Sequence, residues 1–279
     1  SSLSVARATS LDQSVVSYLE SLSTRAYYVI YGSQDRLRDR IYNFFARDWP
    51  LAVQGAWKDV AVSSFVFALG ILIGFFLVSN NPDWFYSFMS EDMASGRTPA
   101  ASEEFLRNTI YDSDPDSDGL GTFAAFLFSN NSRVSILAFA LGFAFALPTI
   151  VLLLYNGLSI GAFIAVFVSK GLGFEIGGWL SIHGTTELFA IALAGAGGMM
   201  IGRAVAFPGE MTRMESMRSK AEQAAIILGG VVVMMFVAGL LEGFGRQLIQ
   251  NDWLRYGIGG AMLTFWLLYF FLPRKALDQ

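Results

Sequence analysis

Apolar positions in this chain fall into two regimes, one amphipathic and one continuous. Near the start, Leu11, Val15, Tyr18, Leu19, Leu22 and Ala26 recur at helical spacing, with Asp12, Gln13, Glu20 and Ser21 on other faces. A second such piece, Arg36 to Trp49, places Leu37, Ile41, Phe44 and Phe45 on one side, flanked by Arg36, Arg38, Arg40 and Arg47. Basic residues opposite Leu and Phe suit a helix lying in a membrane interface, its cations among headgroups. The alternative is a small soluble helical hairpin. Residues 1–58 are therefore expected to form a cytoplasmic amphipathic helical region.

Beyond residue 58 the runs lengthen. Val60 to Ser79 is 20 residues without a charge, about 30 Å of helix at about 1.5 Å per residue, which is the thickness of a bilayer core. A first crossing over 59–79 precedes a polar, acidic loop, 80–133. The next 36 residues, 134–169, again carry no formal charge. The Tyr155-Asn156-Gly157 turn signal divides them into a full span, Val134 to Tyr155, bent at Pro148, and a short helix, Leu158 to Ser169, that spans or re-enters. Ile176 to Ile201, Ala224 to Leu241 and Gly257 to Leu272 follow, giving a five-helix membrane domain over 134–272 and a tail, 273–279. The pattern predicts an all-α polytopic membrane protein with about six transmembrane helices, one short or re-entrant.

Composition agrees. Of 279 residues, 54% are hydrophobic and 15% charged, against about 25% charged in soluble domains, and the mean hydropathy is +0.48. There is no cysteine, which excludes disulfides, thiolate metal sites and cysteine nucleophiles, and the net charge of −4 gives no reason to expect nucleic acid as a partner. No signal peptide is visible, because the first long apolar run begins at Val60. With both termini inside, thirteen of the 19 lysines and arginines fall on inner segments and six on outer ones, a positive-inside bias that places the acidic loop outside. Glycine pairs at Gly70/Gly74, Gly157/Gly161, Gly198/Gly202 and Gly239/Gly243 suit close helix approach, within one chain, between copies, or both.

The single histidine, His183, stands four residues before Glu187 in an otherwise apolar stretch. A charged group at mid-bilayer costs about 2.5–3.5 kcal/mol on insertion scales, so this pair calls for a partner or a purpose. On a helix the imidazole and carboxylate share a face. Glu175 lies toward the outer surface, and Glu242 ends the next span on that side, four residues before Arg246, where a surface ion pair is expected. With Asn156 these residues form a candidate polar intramembrane site. It would serve as a proton or ion relay, as an acid/base centre, or as a self-neutralising pair that fixes helix register. One histidine with scattered glutamates and no cysteine offers no transition-metal site, and neither metal nor cofactor is expected.

Two further motifs carry chemistry. Gly157-Leu158-Ser159-Ile160-Gly161 spells G-x-S-x-G and, with His183, invites a Ser159/His183 hydrolase dyad, although the soluble motif requires a strand before the serine. Asp114, Asp116 and Asp118, followed by Gly119, match the start of a calcium loop. Ala125 occupies the position of the bidentate Glu and Pro115 stiffens the start, so a solvated acidic turn is the default.

His183-Gly184-Thr185-Thr186-Glu187-Leu188, running into Ala194-Gly195-Ala196-Gly197-Gly198, resembles the HGxxEL…AG signature of the stage II sporulation protein M family. Asn130-Asn131, the Asn156-Gly157 turn and Glu242 resemble its other recurring features, and the resemblance covers roughly Val60 to Leu272. It implies an integral membrane protein of bacteria or archaea without established enzymatic activity. In spore formers the namesake is implied in engulfment alongside peptidoglycan hydrolases. Longer relatives, often encoded beside a MoxR-type AAA ATPase, are the better match, given the basic N-terminal region and acidic loop. The leading expectation is a non-enzymatic scaffold in the prokaryotic cytoplasmic membrane, both termini cytoplasmic. It would act as a homo-oligomer among envelope membrane proteins or with such an ATPase. A transporter or channel using the His–Glu site comes second, an intramembrane serine hydrolase third.

Overall fold

The computed structural model describes residues 18, 20–24, 36–111, 118–245 and 249–272, with 118–127, 244 and 245 described by their backbone alone. The chain divides into two units between Phe44 and Phe45. In the first, residues 20–24 are helical and Leu37–Asn43 forms α1, whose Leu37, Ile41 and Tyr42 are exposed. Most of the helix expected over Leu11–Ala26 lies outside the described residues, as do the tail 273–279 and Arg246.

The second unit is all-helical among the described residues: α2 (Trp49–Gly55), α3 (Trp57–Asn80), α4 (Phe85–Phe88), α5 (Glu91–Ala94), α6 (Glu103–Tyr111), α7 (Asp118–Ala140), α8 (Leu147–Ser169), α9 (Gly173–Ala206), α10 (Arg213–Leu240) and α11 (Asp252–Phe271). Five of these, α3, α8, α9, α10 (continued to Gly243) and α11, are long and apolar enough to cross a membrane. The α7 helix runs among them. Side-chain chemistry sets the helix starts. Thr212 and Glu215 form a reciprocal capping box at α10, and Asn251 accepts from the Leu254 N–H at α11.

Direction follows from which residues meet. Gly70 lies against Leu154 and Gly157, and Gly74 against Leu158, so α3 and α8 run parallel and α7 must return between them. Asn131 meets Glu187, and Gly198 meets Ala138 and Phe139, so α7 runs parallel to α9. Gln54 donates to the Phe270 and Leu272 carbonyls, which brings the end of α11 back to the side where α3 starts. Six passes result. The side where α3 ends is here called the loop side.

The second and third passes differ from the expected ones. The helix before the break starts at Asp118, not Val134, and Asn156-Gly157 is not a turn: Leu158–Ser169 is simply the second half of the 23-residue α8. The chain reverses at Phe145 and Ala146, both at positive φ (61° and 63°), just before Pro148 in the first turn of α8. Gly157 serves close approach instead. A Cβ there would run into the Phe67 carbonyl and the Gly70 backbone. In lipid, where apolar burial between helices gives no driving force, such backbone proximity maximises dispersion contact. Three of the four glycine pairs are used within the chain in this way; Gly243, of the fourth, has nothing within 4 Å of a Cβ.

Nor are residues 80–133 one loop. Residues 82–111 form a cap on the loop side, in which Phe85, Met89, Leu106 and Ile110 pack on Val166, Phe167, Leu172 and Trp179. On the other side, Asp59 accepts two hydrogen bonds from Arg203 (3.2 and 2.7 Å). Trp49, expected at the end of an interfacial helix, is 1% exposed there. Its indole meets Trp266 and Phe270 edge-on, with centroids 5.8 and 5.1 Å away. A Cβ on Gly230 would overlap that indole, which has no room to move. Gly230→Ala is therefore expected to cost about 1–3 kcal/mol, the usual range for overpacking, seen as a lowered midpoint in thermal unfolding of the detergent-solubilised protein.

Candidate functional site

Four segments enclose one cavity on the loop side of the bundle, largely apolar with a few polar groups. Asn130 and Asn131 come from α7, Asn156, Ser159 and Phe163 from α8, and Trp179, His183, Gly184 and Glu187 from α9; Met89 and Met93 of the cap line its outer end. Its volume of about 80 Å³ leaves room for several waters. Along α9, His183 and Glu187 lie roughly 15 and 21 Å from the helix start, well inside the bundle. Gly184 keeps the wall open: a Cβ there would meet only the Leu180 side chain, 4.0 Å away.

The polar groups are deeply placed. His183 and Glu187 are each 3% exposed and Asn156 is 7% exposed. Trp179 meets the His183 ring edge-on at 5.4 Å. The Glu187 carboxylate accepts a hydrogen bond from Asn131 on another helix. Its second oxygen, Oε1, and the Asn156 amide nitrogen, Nδ2, are buried and have no protein partner. Buried polar atoms are satisfied in the great majority of cases, and each exception calls for a reason. The next motif residue, Thr186, accepts from the Trp266 indole N–H at 3.1 Å and so holds α9 to α11.

The other expected site residues separate. Glu242 is 3% exposed, stands in a π-helical turn, Leu241–Gly245, and lies close enough to act electrostatically on Glu187; its expected partner Arg246 lies outside the described residues. Glu175 is not in the cavity wall. It faces Arg107 of the cap at 3.4 Å, and Arg107 also pairs with Glu103 at 3.0 Å. The Ser159 hydroxyl is directed at the Phe88 and Tyr155 carbonyls (2.9 and 3.1 Å). Asp114 and Asp116 lie outside the described residues, and Asp118 is described by its backbone alone. Among the described residues no cluster of three His, Cys, Asp or Glu could hold a metal.

Sequence reasoning noticed Asn130-Asn131 but gave the pair no role, because placing it in a loop hid its register with Glu187. It missed Arg255 altogether. That side chain is fully buried, donates to the Ile249 and Ile110 carbonyls and to Asp252, and lies 5.2 Å from the Tyr111 ring centroid. Tyr111 in turn donates to Asp252, and burial together with that hydrogen bond holds its hydroxyl pKa above the ordinary tyrosine value. This cluster ties the cap to α11.

An all-helical bundle with five helices long and apolar enough to cross a membrane defines an integral membrane protein. The chain belongs to the stage II sporulation protein M family, whose model matches residues 63–245. The matched segment runs from α3 through the Glu242 turn and includes every polar residue of the cavity. No curated protein and no solved structure matches the chain.

Proposed function

We propose that this membrane protein binds a small hydrophilic solute in the cavity as part of a transport function, with Glu187, Asn156, Asn131 and His183 as the binding groups. One observation carries the reading: the Glu187 Oε1 and Asn156 Nδ2 atoms are buried, unpartnered and set in the wall of a cavity roomy enough for water. A scaffold with a dry interface would satisfy these atoms internally, because an unmet buried polar group costs about 1–3 kcal/mol. A hydrated site needs no such closure. The hydrolase reading draws less support, since a serine nucleophile must give its proton to a base, whereas Ser159 faces two carbonyls. The positive-inside bias supports an extracytoplasmic loop side, and so access to the cavity past Met89 and Met93.

The chain lacks cysteine, so a single introduced thiol reports cleanly on water access. Ser159→Cys is expected to react with 2-aminoethyl methanethiosulfonate added from the loop side, because thiolate forms readily only in contact with water. In the same liposomes, Glu187→Gln is expected to abolish solute or proton flux while leaving the elution profile and thermal midpoint unchanged. Glu187→Leu is expected to impair folding as well. An unreactive thiol in a folded Ser159→Cys protein would return the site to a purely structural role.

A further inference from the structure

We infer that the solute is a small aliphatic ammonium compound that also carries an oxygen, of the amino-alcohol type. The inference rests on the transport reading above and names its chemistry.

Charge comes first. Glu187 lines the cavity, Glu242 lies within electrostatic reach of it, and among the described residues no lysine or arginine lines the cavity. The wall therefore offers carboxylate without a lysine or arginine counter-charge, and a bound cation supplies the missing partner. An anion would add like charge to a buried acidic site.

Hydrogen bonding narrows the choice. A bound ammonium would hold Glu187 ionised, so that its Oε1 only accepts, while Asn156 Nδ2 only donates. The occupant must bring an N–H to the first and an oxygen lone pair to the second. A simple alkylamine lacks the oxygen, and a diol lacks the charge. A bare metal ion would face the N–H of Asn156. Water alone satisfies both atoms, but Met89, Met93, Ile160, Phe163 and Leu188 make the rest of the lining apolar. Water finds no partners there, whereas a short carbon body gains dispersion contact with thioethers and an aromatic ring.

Size agrees. Space for roughly five waters, at the volume each requires, accommodates the four heavy atoms of ethanolamine. Gly184, with no side chain and only Leu180 near its Cβ position, leaves that space open.

The test uses the full chain bearing Ser159→Cys, in liposomes, and follows the rate of thiol modification with millimolar ethanolamine, propylamine or ethylene glycol present. Ethanolamine is expected to slow modification. Propylamine and ethylene glycol should each need about tenfold or higher concentration for the same effect, the cost of losing one charge-assisted or buried hydrogen bond. Adding Glu187→Gln is expected to erase the preference for ethanolamine over ethylene glycol. Gly184→Val, which narrows the space while keeping every polar side chain of the wall, should remove protection by all three. If neither variant folds, the comparison of three probes on the parent protein decides alone. Equal protection by all three probes overturns the inference, as does a reactive thiol that none protects, which would mean water only; in both cases the thiol labels and the transport reading stands. A thiol that never labels removes both.

Discussion

Gly161→Leu will leave no monodisperse folded protein. At Gly161 the backbones of α3 and α8 are in contact, and a Cβ would fall on the Ile71 carbonyl and the Phe75 amide nitrogen. Those atoms belong to a helix ladder and cannot rotate away as a side-chain tip can. The same crossing is closed by Gly70, Gly74 and Gly157, each against backbone atoms of the other helix. The clash therefore cannot be relieved by a small slide in either direction. A cost of about 4 kcal/mol or more is expected, at the upper end of what one substitution does and comparable to the whole stability of many domains. Size-exclusion profiles and thermal unfolding in detergent measure it. Gly260→Ala is the control. That glycine lies in a membrane helix too, but nothing stands within 4 Å of its Cβ position, so no loss of stability is expected. Equal losses at both sites would refute the packing argument.

Arg255→Met is expected to be the second most damaging change, by a different route. Methionine keeps the unbranched apolar stem of arginine but ends short of the guanidinium. What is lost is the guanidinium, which at zero exposure donates to Ile249 O at 2.8 Å, to Asp252 at 3.1 Å and to Ile110 O at 3.3 Å. Removing one member of a fully buried ion pair costs about 3–5 kcal/mol; here a cost near the lower end is expected, because Asp252 is partly exposed and keeps its hydrogen bond from Tyr111. The loss falls on the joint between cap and bundle, since Ile110 and Tyr111 belong to α6 and Asp252 to α11. The cap also supplies Met89 and Met93, the outer wall of the cavity. Arg255→Met in the Ser159→Cys background should therefore speed thiol modification as well as lower the thermal midpoint. Introducing Asp252→Asn beside it is expected to recover part of the stability, by removing the stranded charge. A stable variant with unchanged labelling would show that the cap is held by its apolar contacts alone.

The family signature marks the cavity because it records one stripe of α9, and a stripe of one helix is legible from spacing. His183 and Glu187 share a face by periodicity, and both do line the cavity. Their partners were less legible. Asn131 reaches Glu187 from α7, 56 positions earlier in the chain, and that register depends on where α7 starts. Reading Asn130-Asn131-Ser132-Arg133 as the end of a loop was reasonable from polarity. The helix nevertheless runs through it, because the two asparagines face a cavity rather than lipid. Glu175 and Glu242 show the reverse problem: both lie on the loop side as expected, yet one is paired with the cap through Arg107 and the other is drawn inside near Glu187.

By itself the sequence determined the class of protein, most of the long apolar helices, the histidine–glutamate face and the small-residue stripes. Each is set by run length or by periodicity along one segment, and the bilayer thickness and the helix repeat act on a segment without regard to its neighbours. The tertiary structure decided whether Asn156-Gly157 turns or continues, which helix satisfies Glu187, why Arg255 can be buried, and that 82–111 is a cap. Those outcomes depend on atoms brought together from distant parts of the chain. A glycine is a turn or a contact according to what approaches it, and a buried charge is tolerated or excluded according to the partners it meets.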